Sequence, residues 1–429
     1  MSTPEDPTKA PEDPTAAGVS EEALAIPLDP RLMLRERGLR GYWDVFVRRM
    51  KAGELGSIPV AIGLIVIWVV FQLLNDRFLS AENLSNLVQQ MSAVGIISIG
   101  IVLVLLLGEI DLSVGSVSGL TSAILAVLNV NHGWATVPAI VAALAVGCAI
   151  GFLQGFFFAK IGVPAFVVTL AGLIGWLGLQ LSVLGDEGTI NFPFNGGVAK
   201  LANTYYTPEV GYSIVAIIIA VYAFSMVRGA QRRSRANLPS RDMTEIVLRA
   251  VLLAIPLLIV VYVMDQYQGL PLALLIFGGL VVIFDLILRR TLYGRYVFAV
   301  GGNPEAARRA GVNVAMIRIT VFMLCSTLAA AGGVMAASRG FQVGQSSGGS
   351  DVLLNAIAAA VVGGTSLFGG RGSAYSALLG ILVIQSIANG MLLLSLGTDV
   401  RLMITGAVLL AAVTLDAVAR RGRAASGRA

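Results

Sequence analysis

Apolar runs of about 20 residues recur along most of this chain, separated by short polar stretches. An α-helix rises about 1.5 Å per residue, so each run reaches across the roughly 30 Å of a bilayer's hydrocarbon core. One such run suits a buried helix of a soluble protein, but about a dozen do not. The pattern predicts spans at 57–74, 90–107, 112–130, 135–158, 163–183, 211–227, 246–264, 270–288, 317–338, 351–366, 373–394 and 401–418. The tenth is short and fits either a crossing or a re-entrant segment. The predicted fold class is all-α, a polytopic integral membrane protein with about twelve transmembrane helices.

Composition agrees: 56% of the 429 residues are hydrophobic and 13% charged, about half the charge of an ordinary soluble domain. A net charge of +5 often suggests a nucleic-acid partner, but the placement of the Lys and Arg residues argues for orientation in a bilayer and for no nucleic acid. With the N-terminus in the cytoplasm and alternating crossings, the inner segments hold 24 Lys and Arg and the outer segments four. That bias obeys the positive-inside rule and puts both termini in the cytoplasm. If the tenth segment did not cross, Arg420, Arg421 and Arg423 would lie outside, so twelve crossings are preferred. Residues 1–30 are rich in Pro, Glu, Asp and Thr and read as a disordered tail. Residues 31–56 read as a basic amphipathic juxtamembrane segment or a plain linker, 57–418 as the transmembrane domain, and 419–429 as a cytoplasmic tail.

Candidate chemistry is sparse. Cys148 and Cys325 both fall in apolar runs, which leaves no disulfide framework and no metal-ligand spacing. His132, the only histidine, sits in a short loop, so histidine-relayed catalysis is poorly supplied. A phosphate loop needs G-x-x-x-x-G-K-[ST]; residues 364–371 come nearest but end on Arg371, between two spans. The chain is therefore expected to be no enzyme and to hold no cofactor or metal.

Three patterns remain. In Gly108-Glu109-Ile110-Asp111-Leu112-Ser113-Val114-Gly115-Ser116, two carboxylates interrupt an apolar stretch. Acidic groups at membrane depth are costly and usually face a cavity or a partner, and the glycines permit a helix break. Glu109, Asp111, Ser113, Gly115 and Ser116 are thus candidates for a break lining a translocation path. Alternatively the stretch is a capped inner loop, with Asp111 accepting the free N–H groups of the next helix and both carboxylates in water. The second pattern reads as a complete short helix in a long inner loop. Asn303 suits the N-cap, Pro304 and Glu305 the first turn, Arg308 and Arg309 the last turn and Gly311 the stop. Ala306, Ala307 and Ala310 are expected to form one small-residue face for docking; the alternative is a helix lying on the chain's own inner surface. The third pattern is glycine-rich, at 332–333, 344–350 and 363–372, and suits close helix packing. Gly108, Leu112 and Gly115 also echo Gly363, Leu367 and Gly370 at constant spacing, a faint sign of duplicated halves.

The stretches FLSAENLSNLVQQ (78–90), GEIDLSVGS (108–116), VPAFVVTLAGL (163–173), LYGRYVFAVGGNPEAARRAGV (292–312) and AVVGGTSLFGGRGS (360–373) together resemble the permease subunits of bacterial ATP-binding-cassette (ABC) importers for monosaccharides, the ribose/xylose/arabinose-type family. The extra apolar sequence around 185–265 makes the chain more similar to the D-xylose and multiple-sugar permeases than to the ribose type. The resemblance implies the ABC importer permease fold in a bacterial cell membrane. It implies a homodimer, a cytoplasmic ABC ATPase that holds ATP and Mg, and an extracytoplasmic sugar-binding protein. It places residues 303–311 at the helix that meets the ATPase and 108–116 near the translocation path.

Overall fold

The structure is a computed structural model that describes residues 58–236 and 242–425. The expectations for 1–30 and for 31–56 fall outside these residues. The chain begins with α1 (Ile58–Leu74), α2 (Ala81–Leu106) and α3 (Val114–Ala126), the last extended by a π-helical turn, Val127–Asn131. Then come α4 (Thr136–Phe156), with a π turn at Phe157–Ile161, and α5 (Ala165–Leu184). A polar stretch follows with β1 (Thr189–Asn191), α6 (Gly197–Asn203) and β2 (Tyr205–Tyr206). Next are α7 (Pro208–Arg235), α8 (Met243–Asp265), β3 (Leu270–Pro271), α9 (Leu272–Arg290), α10 (Leu292–Gly302) and α11 (Pro304–Arg309). The chain closes with α12 (Val314–Gly340), β4 (Gln342–Gly344), α13 (Ser350–Val362), α14 (Ala374–Leu393) and α15 (Thr398–Ala425).

Each of the twelve predicted apolar runs is a helix. Among the described residues, nine helices are long and apolar enough to cross a membrane, and α1 and α13 are shorter apolar helices. The short strands pair antiparallel, β1 with β4 and β2 with β3, which gathers the connections 185–207, 266–271 and 341–349 into one layer. At the other end the Gly370 N–H donates to the Leu106 carbonyl (2.9 Å) at the end of α2. Helix α13 therefore starts next to that layer and leads towards the end of α2, although its 13 residues rise only about 20 Å. The boundaries differ from the sequence expectation at polar ends. Helix α2 begins at Ala81 rather than near residue 90, capped by Ser80, whose side chain accepts from the Asn83 N–H. Helix α10 was not predicted, and α15 stays helical to Ala425, through residues assigned to a tail.

Helices α2 and α12 form the buried centre of the bundle. Glycine lets α4 approach α12: a Cβ on Gly147 would lie 2.7 Å from the Ala330 Cβ, one on Gly151 2.6 Å from the Met323 Cα, and one on Gly155 2.8 Å from the Ile319 Cα. Three glycines at a spacing of four make one side-chain-free stripe, so backbone meets backbone. Polar side chains tie the two ends of the sequence together. The Trp68 Nε1–H donates to Ser386 Oγ (2.9 Å), the Asn83 amide to Asn389 Oδ1 (2.8 Å) and the Gln385 amide to Gln90 Oε1 (2.9 Å). In hydrocarbon an unpaired amide has no water to turn to, so such pairs select the neighbours of α1, α2 and α14. The α7–α8 hairpin is mostly exposed and packs on α2 through Leu84, Val88, Val215 and Val261.

Candidate functional site

The chain leaves α2 at Leu106, turns through Gly108 (φ 79°) and runs without helix to Ser113. The left-handed φ at Gly108 is a conformation that glycine adopts at little cost. Beyond it the two carboxylates part company. Glu109 stays half-buried, and burial raises its carboxyl above the ordinary glutamate range, against an opposing pull from the Arg318 guanidinium. Arg318 itself stacks on the Phe158 ring at 4.6 Å. Asp111 is fully buried. Its Oδ1 accepts from the Ser113 N–H (2.8 Å) and from the Ser113 hydroxyl (2.6 Å). The Ser113 oxygen in turn accepts from the Gln154 amide of α4 (2.8 Å).

This corrects two details of the capped-loop expectation. Asp111 is not in water, and it does not cap α3 through the helix's own N–H groups. It closes a local turn one residue before the helix, because the short aspartate side chain reaches the N–H two residues on. The broken segment is clamped laterally. Ser116 Oγ donates to the Leu173 carbonyl (2.7 Å), and Thr169 Oγ1 lies 3.4 Å from the Ile110 carbonyl, both on α5. Gly115 meets another irregular stretch, where its Cβ would lie 2.7 Å from the Gly348 carbonyl. Three buried polar atoms near the clamp, Asp111 Oδ2, Gln154 Oε1 and Trp176 Nε1, make no hydrogen bond within the protein.

A cavity of about 210 Å³ lies beyond Gly115, between α2, α3, α12 and the 342–352 stretch. Ser118 and Ser122 of α3, Gln342, Ser346 and Asp351 give it a polar side, while Gly332 and Gly333 of α12 leave the opposite wall low. Glu109, Asp111, Ser113, Gly115 and Ser116 do not line it. Its polar residues were missed in the sequence because 344–350 reads as a glycine-rich packing stretch; the available signal was the polar run from Gln345 to Asp351 between two apolar spans.

Residues 303–311 form α11 and its caps. Asn303 Oδ1 accepts from the N–H groups of Glu305 and Ala306 (3.0 Å each), after which Pro304 needs no hydrogen-bond partner, and Gly311 closes the helix with φ 84°. Glu305 pairs with Arg308 (3.0 Å) and sits 3.8 Å from Arg309. The expected single alanine face is not observed. Ala307 is buried in the main core, whereas Ala306 and Ala310 are exposed together with both arginines. Positions 306 and 310 are four apart and share a face; 307 is turned about 100° from 306 and anchors the helix inward.

A polytopic helical bundle with a broken, laterally clamped segment and a short capped helix at one end has the architecture of a membrane permease. The chain belongs to the family described as branched-chain amino acid transport system/permease component, whose model matches residues 83–413. It is 34% identical over 378 residues to the xylose transport system permease protein of Escherichia coli K12, covering 87% of this chain and 94% of that protein. It is 35% identical over 375 residues to the xylose transport system permease protein of Haemophilus influenzae, covering 86% and 98%. The ribose import permease protein of Escherichia coli K12 is 30% identical over 358 residues, covering 83% and 92%. No solved structure matches the chain.

Proposed function

We propose that this chain is the membrane-spanning permease subunit of an ABC sugar importer and that it translocates D-xylose or a related pentose or hexose. The observation that carries this reading is the near full-length match to permeases named for xylose and for ribose. Energy comes from a separate cytoplasmic ATPase that binds ATP and Mg; an external sugar-binding protein delivers the substrate, and two copies of the permease form the membrane unit in a bacterial cell membrane. The charge bias supports cytoplasmic termini. In this reading α11 is the coupling helix. Its exposed Ala306, Arg308, Arg309 and Ala310 are available to a partner, while Ala307 fixes it to the permease body. The break at 108–116 and the polar cavity beyond Gly115 belong to the path, with Asp111, Ser113 and Ser116 holding the break in shape and Glu109 at its mouth.

The test is reconstitution in liposomes with the cognate ATPase and binding protein, followed by uptake of labelled xylose, ribose and glucose. ATP-dependent accumulation of a monosaccharide is expected, together with none when the ATPase is left out. Accumulation by the permease alone, or none with the full set for any monosaccharide, rejects the reading.

A further inference from the structure

The end of α2, the end of α10 and the loop before α14 meet with no side chain between them. The Leu106 carbonyl, left without a partner where α2 stops, accepts from the Gly370 N–H at 2.9 Å. Gly301, two residues before the Asn303 cap of α11, lies flat against the same carbonyl, and a Cβ there would overlap the Leu106 oxygen outright. Gly369 (φ 82°) closes the ring, since its Cβ would lie 2.5 Å from the Gly301 oxygen and 3.0 Å from the Gly108 nitrogen. Gly108 in turn packs on the Phe368 carbonyl, which is 3.4 Å from where its Cβ would be. Three chain segments, 106–108, 301 and 368–370, are therefore in backbone contact at and beside the Leu106 carbonyl group. The next position, Gly302, faces open space, with nothing within 4 Å of its Cβ direction.

We propose that this junction transmits the movement of α11 to the break at 108–116, with Gly301 as its positioning residue. The proposal rests on the reading of α11 as the helix that meets the ATPase. Helices α10 and α11 are joined at Asn303, whose N–H continues the α10 hydrogen-bond ladder to Ala299 while its side chain caps α11. A push on α11 thus moves α10. Side chains at an interface absorb small displacements by changing rotamer, whereas a backbone-to-backbone contact has no such slack and packed groups pass strain on. A displaced Gly301 must carry the Leu106 carbonyl with it. Leu106 leads through Gly108 directly into Glu109 and Asp111. The same carbonyl is tied to Gly370, so the 363–373 loop and α14 follow. One input then reaches both of the segments whose sequences echo each other.

The experiment compares wild type, Gly301→Ala and Gly302→Ala, each assembled with the ATPase and binding protein in liposomes. It reads ATPase co-purification, ATP hydrolysis and sugar uptake. Gly301→Ala should retain the ATPase and hydrolyse ATP while sugar moved per ATP falls roughly tenfold, within the range of known coupling mutations. Gly302→Ala, equally near α11 and chemically identical, should match wild type. Wild-type coupling in Gly301→Ala, or equal damage in Gly302→Ala, overturns the proposal. A wild-type permease that binds its ATPase through another surface would instead sink the reading of α11. Should Gly301→Ala fail to accumulate, Gly370→Ala on the facing loop decides. Its Cβ would lie 3.3 Å from the Gly302 Cα, tight enough to shift the junction without outright overlap. A fall in sugar moved per ATP with the ATPase still bound supports the proposal. Wild-type coupling in Gly370→Ala refutes it.

Discussion

Replacing Asp111 tests whether the break at 108–116 is held by its buried carboxyl. One oxygen of this side chain takes two hydrogen bonds from Ser113, at 2.8 and 2.6 Å, and Ser113 is itself the acceptor for Gln154. All three residues are buried, so donors left behind by Asp111→Ala have no water to replace the lost acceptor. Each unsatisfied buried donor costs about 1–3 kcal/mol. The two from Ser113 therefore put the loss at about 2–4 kcal/mol, allowing for relaxation around the smaller side chain. Asp111→Asn keeps one carbonyl oxygen in the same place and should stay within about 1 kcal/mol of wild type. Thermal unfolding of the purified permease in detergent, read beside sugar uptake in the assembled importer, measures both consequences. Asp111→Ala should unfold several degrees lower and transport poorly. Asp186→Ala, in the exposed turn after α5, should change neither. The reasoning fails if Asp111→Ala is as stable as wild type, or if Asp111→Asn is as damaging as Asp111→Ala.

Two further expectations follow from burial. Ala307→Glu places a charge in the core beside α12, where an unpaired buried carboxylate costs several kcal/mol, so the folded permease itself should be lost; Ala306→Glu and Ala310→Glu should fold normally and weaken ATPase pull-down. Gly151→Ala forces a methyl group to within 2.6 Å of the Met323 Cα and should cost about 1–3 kcal/mol in thermal unfolding, whereas Gly175→Ala, with open space around it, should be silent.

The helices were legible because lipid imposes one strong rule, that a spanning backbone must bond to itself along an apolar length. Where that rule is relaxed, the sequence misled. The first turns of α2 carry Glu82, Asn83, Ser85, Asn86, Gln89 and Gln90. They look like a loop until Asn83 and Gln90 are seen facing Asn389 and Gln385. The caps of α11 could be read locally, since an N-cap depends on residues three apart. Which alanine faces inward could not, because that depends on α12 lying against one side. At the break, the alternation of acids and glycines announced an interruption. Only tertiary contacts show that it runs between α4 and α5, with Asp111 inside and Glu109 at the edge. The cavity was invisible for the same reason: Ser118 and Asp351 are 233 positions apart, counted from their numbers.

The amide pairs that join α2 to α14 also set a timetable for making the protein. Asn83 and Asn389 are 306 residues apart in sequence, and Gln90 and Gln385 are 295 apart. At synthesis rates of about 5–20 residues per second, the partner of Asn83 emerges from the ribosome roughly 15–60 s after Asn83 itself. Through that interval the contacts of Asn83 and Gln90 with α14 cannot form, although the Asn83 amide already has the Phe78 carbonyl of its own turn as a partner (2.7 Å). A chain cut short before Ala374 never makes them, so the contacts that close the bundle are among the last that synthesis makes available.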